Sequence, residues 1–324
     1  MSNTTEKTSN SLSLIKKEHR NKVLITLFLV TTLAGGGYWA VIAATSSSAP
    51  SVALALRLAY IAVLYMPVPL YTLLLSRFML GIPIPFRALL SLKHITVKKY
   101  ALVAGLFLAW AVLMIGSVAV LGWLWPEMFG HLATTNGHLV HNLEKLIGTS
   151  VNTSAMNMPP TPLAMLPLGI FGALMAGLTV NAIFAMTEEI MWRGYLAQAF
   201  AGQPFCKKYV TIGVLWGLWH IPLIALGYNY GTANALPGSV LFIGFCVVMS
   251  LVLGFVVERT RSVWLAAVLH GTFNGFSQVM LLLVVGGSSL LASSAVGVVS
   301  LVAWLVVFVG CYISTAFASV TERA

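Results

Sequence analysis

The sequence predicts an all-α polytopic membrane protein, a bundle of about eight transmembrane helices with both termini cytoplasmic. Three observations lead there. First, 59% of the 324 residues are hydrophobic and only 8% are charged, far from the roughly 25% charged residues of a soluble domain. Second, the apolar residues gather into runs of bilayer-spanning length, about 20 residues each. Third, Lys and Arg fall in short clusters at alternate ends of those runs, which is the positive-inside pattern. The formal charge of +10 therefore reads as topology and gives no reason to expect nucleic acid.

The elements follow in order. Residues 1–22 form a polar tail rich in Ser, Thr and Asn that ends in Lys16, Lys17, Arg20 and Lys22, and it is expected to be disordered and cytoplasmic. Residues 23–324 make up the transmembrane domain. The first span, 23–44, is longer than the apolar region of a signal peptide, about 7–15 residues, and is read as a retained helix. The second, about 52–75, carries Arg57 near its outer end, where a long side chain reaches the interface by snorkelling. The loop 77–99 holds Arg77, Arg87, Lys93, Lys98 and Lys99 and is placed inside. The third span, 100–125, ends in W-L-W, an interfacial aromatic signal.

Residues 126–160 form the longest polar connection, with one Lys and no Arg, as expected outside. His138, His141 and Glu144 share one helix face there. A metal can be held by such a set, but an amphipathic surface helix is the simpler expectation. The fourth span starts near Thr161 and runs into a Glu-Glu stretch, followed by a turn with Lys207 and Lys208 inside. The fifth (about 209–226), sixth (239–257), seventh (263–285) and eighth (295–318) spans complete the alternation, and every basic cluster then falls on one side.

The three cysteines, Cys206, Cys246 and Cys311, are widely separated and form no C-x-x-C, so neither a disulfide framework nor a thiolate metal site is indicated. All eight acidic residues are glutamate. The absence of Asp excludes an aspartate-dyad protease and a Ser-His-Asp triad.

Polar side chains nevertheless occur inside three spans. Residues 187–196 read T-E-E-I-M-W-R-G-Y-L, placing Glu188, Glu189 and Arg193 in apolar surroundings. A charged residue at that depth costs at least about 2.5–3.5 kcal/mol and points to function with a named partner. In a helix, Glu189 and Arg193 are four apart and pair, while Glu188 points about 100° away and stays available. The fifth span contains His220, and the seventh contains His270 and Asn274. His220 lies twelve residues beyond Lys208 and His270 nine beyond Arg261, so at a rise of about 1.5 Å per residue both lie roughly 14–18 Å from the inner boundary. A shared cavity in the inner half of the bilayer is expected. Helix packing alone explains a single imidazole or amide, but not two carboxylates, two imidazoles and an amide at matched depth.

These residues resemble the CAAX-protease and bacteriocin-processing family of intramembrane endopeptidases, which includes the type II CAAX prenyl proteases. The family's E-E-x-x-x-R is matched by Glu188, Glu189 and Arg193, followed by Gly194. Its F-x-x-x-H appears as W-G-L-W-H, with Trp216 in place of Phe before His220. Its H-x-x-x-N is matched by His270 and Asn274. The resemblance spans about residues 165–278 within a motif-bearing core of about 163–285. It implies an eight-helix core and hydrolysis of a peptide bond in a membrane-bound protein or peptide by water that glutamate and histidine activate. Glu188 is the candidate base, with Glu189 and Arg193 as its supporting pair, His220 holding the water and passing a proton to the amine, and His270 with Asn274 polarising the carbonyl. Glu188, His220 and His270 are also the ligand types of a catalytic zinc site, so a divalent metal and a metal-free water mechanism both stay open. The expected setting is the inner membrane of a bacterial cell, with lipid and a tethered substrate as partners. The competing reading is a non-enzymatic immunity or transport protein that uses the same polar cavity.

Overall fold

In the computed structural model, which describes residues 15–152, 154, 158–287 and 290–321 (side chains up to 314), the chain is a bundle of long apolar helices. The principal ones are α1 (Lys17–Ala44), α2 (Pro50–Tyr60), α3 (Val68–Phe78), α4 (Val97–Leu124), α5 (Asn136–Ile147), α6 (Met165–Leu178), α7 (Val180–Glu189), α8 (Phe205–Ala225), α9 (Ala235–Thr260), α10 (Val263–Leu283) and α11 (Val298–Thr321). Among the described residues seven spans are long and apolar enough to cross a bilayer, with α2 and α3 counted together, and the bent pair containing α6 and α7 makes an eighth.

The termini of these helices have local causes. Thr96 and Ser262 accept the backbone N–H of Lys99 and Leu265 and so start α4 and α10, as hydroxyl N-caps do. Gly148 in the left-handed region stops α5, and Arg261, also left-handed at φ 57°, stops α9. Lys99 Nζ donates to the carbonyl of Thr260 at 2.8 Å, capping the same end of α9. Arg57 reaches toward the α1–α2 connection, where its Nε donates to Thr45 Oγ1 at 3.1 Å and so ties α2 to the end of α1.

Several boundaries differ from those the sequence predicts. Helix α1 begins at Lys17, so the last residues of the expected polar tail are helical; residues 1–14 lie outside the described residues. The second span is not a continuous α-helix. Residues Ile61–Tyr65 form a π-helical segment before Pro67 and Pro69, whose missing N–H groups prevent a regular continuation. The fourth span is also interrupted. Thr179, at φ −123° and ψ −108°, separates α6 from α7 in a pair bent by 57°, and a second π-helical segment, Ile190–Leu196, continues α7. Hydropathy does not register these breaks, because the averaged apolar character of each span is kept across them.

The core lies between α4, α10 and α11, where Trp110 and Trp304 stack at 5.2 Å with edge contacts from Phe273 and Phe276. Trp110 Nε1 donates to Ser300 Oγ at 3.1 Å, satisfying a buried indole. At one end of the bundle a two-residue ladder pairs β1 (His131–Leu132) antiparallel with β2 (Val284–Val285), anchoring the long connection to the end of α10. The helix expected around His138 and Glu144 is α5. His138 Nδ1 accepts from the Thr134 N–H and Glu144 Oε1 from the Val151 N–H, so these groups serve local structure.

Candidate active site

Two close helix approaches set the site. On α8, Gly213 and Gly217 face α9 so tightly that an added Cβ would lie 2.5 Å from Val247 Cα and 2.7 Å from Ile243 Cα. On α10, a Cβ at Gly271 would lie 2.6 Å from the Asn181 backbone of α7. Asn181 Nδ2 donates to the Gly271 carbonyl at 3.1 Å, locking this crossing. Residues adjacent to these glycines, Trp216 and His270, are thereby brought to the Glu-Glu turn at the end of α7.

The charged groups are fully enclosed. Glu189 and Arg193 are 0% and 1% exposed. Arg193 donates to Glu189 Oε1 at 2.9 Å, and the same oxygen lies 3.0 Å from His270 Nδ1. The expected Glu189–Arg193 pair is therefore present and extends to a third member. With a carboxylate at Nδ1, His270 carries its proton there and directs Nε2 elsewhere, the orientation a carboxylate commonly imposes on a working imidazole. Breaking such a buried pair by removing one partner typically costs about 3–5 kcal/mol, since a charge is left stranded.

Glu188 is placed differently. It lines a cavity of about 410 Å³ together with His220, His270 and Asn274, whereas Glu189 lies behind the wall. Trp216 Nε1 donates to Glu188 Oε2 at 2.9 Å, which leaves Oε1 for a further partner. His220 Nδ1 bonds the Trp216 carbonyl at 3.0 Å. A carbonyl only accepts, so Nδ1 carries the proton and neutral His220 presents a bare Nε2. Its ring is wedged between Trp219 at 4.4 Å and Phe242 at 4.6 Å, which fixes its plane.

Trp216, which the sequence marks only as standing in place of Phe before His220, touches Glu188, His220, His270 and Arg193. Its indole N–H holds Glu188, its carbonyl holds His220, its ring edge meets His270 at 5.3 Å, and the Arg193 guanidinium lies 4.3 Å from its ring centroid. Cation–π attraction in such a desolvated place is worth about 2 kcal/mol. The indole nitrogen was a visible signal, because Phe offers no donor.

Asn274 stands apart from this network. It lines the cavity but is exposed, and its side chain makes no hydrogen bond among the described residues. The cavity also extends to Tyr228 and Asn229, beyond the end of α8 opposite Lys207 and Lys208. Burial pushes the Tyr228 phenol up to about 12, so its hydroxyl remains a neutral donor.

Neither candidate metal set is gathered into a ligand cluster in this structure. Among the described residues no group of three His, Cys or Glu side chains is arranged to hold a metal ion, neither Glu188, His220 and His270 nor the His138 set. One oxygen of Glu188 already accepts from the Trp216 indole N–H.

Residues 162–276 match a family model described as Type II CAAX prenyl endopeptidase Rce1-like. The matched segment runs from the start of the bent pair to the core of α10 and contains every residue of the network above. No curated protein matches the chain.

Proposed function

We propose that this membrane protein, whose residues 162–276 match the Type II CAAX prenyl endopeptidase Rce1-like family model, cleaves a peptide bond of a membrane-associated protein or peptide with Glu188 as the base that activates water. The observation that carries this reading is the division of labour between the two adjacent carboxylates. Glu188 faces the cavity with Oε1 uncommitted, and Glu189 is sealed behind it holding Arg193 and His270.

In the proposed reaction, Glu188 Oε1 takes a proton from water as the water oxygen attacks the scissile carbonyl carbon. His220 Nε2, with its tautomer set by the Trp216 carbonyl, accepts a hydrogen bond from the same water and orients it. Negative charge collects on the carbonyl oxygen of the tetrahedral intermediate. In its protonated form His270 donates from Nε2 to that oxygen while Glu189 holds Nδ1, and the Asn274 amide supplies a second donor at the cavity rim. The proton on Glu188 passes to the amide nitrogen, the C–N bond breaks, and an acid and an amine leave. Placing the base and the donors in a water-restricted cavity strengthens each of these interactions relative to bulk solvent.

The test is cleavage of membrane-tethered reporter peptides by purified protein in lipid nanodiscs. Glu188→Gln and His270→Ala are expected to lower kcat by at least about a hundredfold, the usual scale for losing a positioned acid or base, while both variants retain their helical circular dichroism. Full cleavage by Glu188→Gln overturns the assignment. Because the mechanism uses only side chains, exhaustive removal of divalent metal is expected to leave kcat unchanged; loss that zinc alone restores would replace it with a metal mechanism.

A further inference from the structure

Helix α10 carries a second polar feature beyond the catalytic network. One turn past Asn274 comes Gln278, and both are exposed and line the same cavity. Ser277 lies between them, with its hydroxyl already donating to the Asn274 carbonyl at 2.8 Å. The two primary amides make no side-chain hydrogen bond among the described residues. They lie in an apolar span in which unpaired polar groups are costly. The same cavity is also lined by the apolar side chains of Leu58, Ile61 and Met66. The cavity lining thus offers both hydrogen bonds and hydrocarbon.

The spacing of the amides identifies what they match. Residues four apart on an α-helix are separated by about 6 Å along its axis. Peptide groups pointing to one side of an extended chain repeat every two residues, about 6.6–6.8 Å. The mismatch is within reach of the flexible glutamine side chain. Each amide carries a donor and an acceptor, which is the complement of one peptide unit.

We infer that Asn274 and Gln278 form a two-rung amide ladder that holds the substrate backbone in extended form along α10, with Gln278 as a substrate-binding residue one peptide repeat beyond the scissile bond. This rests on the peptidase reading and specifies how it engages its substrate. A membrane segment must leave its helix to be cut, and its backbone groups then need new partners inside the apolar span. The ladder supplies them, while the apolar lining at Leu58 and Met66 receives the alternate side chains. The recognition is of backbone, so it tolerates many sequences and selects for segments that unwind easily.

The experiment uses the full-length protein in nanodiscs and a tethered reporter that the wild type cleaves, remade as a series with one N-methylated peptide bond at each position flanking the cut. In the wild type one methylation, two residues from the bond nearest Asn274, is expected to raise KM about tenfold with kcat within about twofold. Gln278→Leu is expected to raise KM similarly on the unmodified reporter, and that same methylation then adds nothing further. A variant that merely disturbed packing would give additive losses. If KM is insensitive to every N-methylation and to Gln278→Leu while the wild type cleaves normally, the ladder is refuted and the peptidase reading stands. If the wild type cleaves no reporter, both fall together. The N-methyl series on the wild-type protein needs no variant, so a folding failure of Gln278→Leu does not hide the answer.

Discussion

Trp216 shows how much a single nitrogen decides. The indole N–H bonded to Glu188 at 2.9 Å fixes which carboxylate oxygen faces the cavity, and the ring face beneath Arg193 keeps the partner of Glu189 in place. Replacing Trp216 with Phe keeps an aromatic ring but deletes the donor. A hydrogen bond of this kind is worth about 1.5 kcal/mol when the acceptor is charged, so Trp216→Phe is expected to lower kcat about tenfold with KM unchanged. The benzothienyl isostere, which keeps the bicyclic shape and lacks only the N–H, should behave like Phe. Wild-type kcat in the isostere would show that shape alone matters. The Glu189–Arg193 pair was legible from its spacing, and His270 from its depth in the span. That one Glu189 oxygen serves both Arg193 and His270 was not, because it depends on α7 and α10 crossing closely enough to bring residues 81 positions apart to 3.0 Å.

At the level of elements, that crossing is where the site is most fragile. Gly271 abuts the Asn181 backbone, so any Cβ there must push α10 away from α7. Over-packing of this kind costs about 1–3 kcal/mol or more, and here it also lengthens the Glu189–His270 contact. Gly271→Val is therefore expected to reduce cleavage by at least about tenfold and to lower the thermal unfolding midpoint measured in detergent by several degrees. Gly36 of α1, with nothing near its absent side chain, provides the control, and Gly36→Ala should leave both readouts unchanged. The helices themselves were readable from apolar runs and basic flanks. The break at Thr179 and the two π-helical segments were not, since apolar length reports only that a segment is buried and not whether its hydrogen bonds run to the fourth or the fifth residue. Both π segments border the cavity region: Ile61 lines it, and Ile190–Leu196 directly follows Glu188 and Glu189.

For the whole molecule, the alternation of basic clusters provides a topological test. Cys206 is exposed beside Lys207 and Lys208, while Cys246 is fully buried. With that turn on the cytoplasmic side, an impermeant maleimide is expected to label Cys206 in inside-out membrane vesicles and not in intact cells. Labelling from outside would invert the orientation. The same orientation bears on the cavity, which extends to Tyr228 and Asn229 at the opposite end of α8 from those lysines. Depth counted along separate helices placed His220 and His270 together. It gave no information on how far the space between them runs, because cavity length depends on where neighbouring helices tilt apart.

Composition, charge pattern and motif spacing by themselves determined that this chain is a polytopic helical membrane protein with a Glu, His and Asn cluster inside it. Those properties follow from local cost: apolar runs must be buried, and charges within them must have partners. Only the tertiary structure decided which carboxylate faces the cavity, that Trp216 is a donor in the network, and that Asn274 continues into Gln278 along an exposed edge. These depend on the distance and rotation between helices, which glycine contacts and the bend at Thr179 set and which no single span encodes.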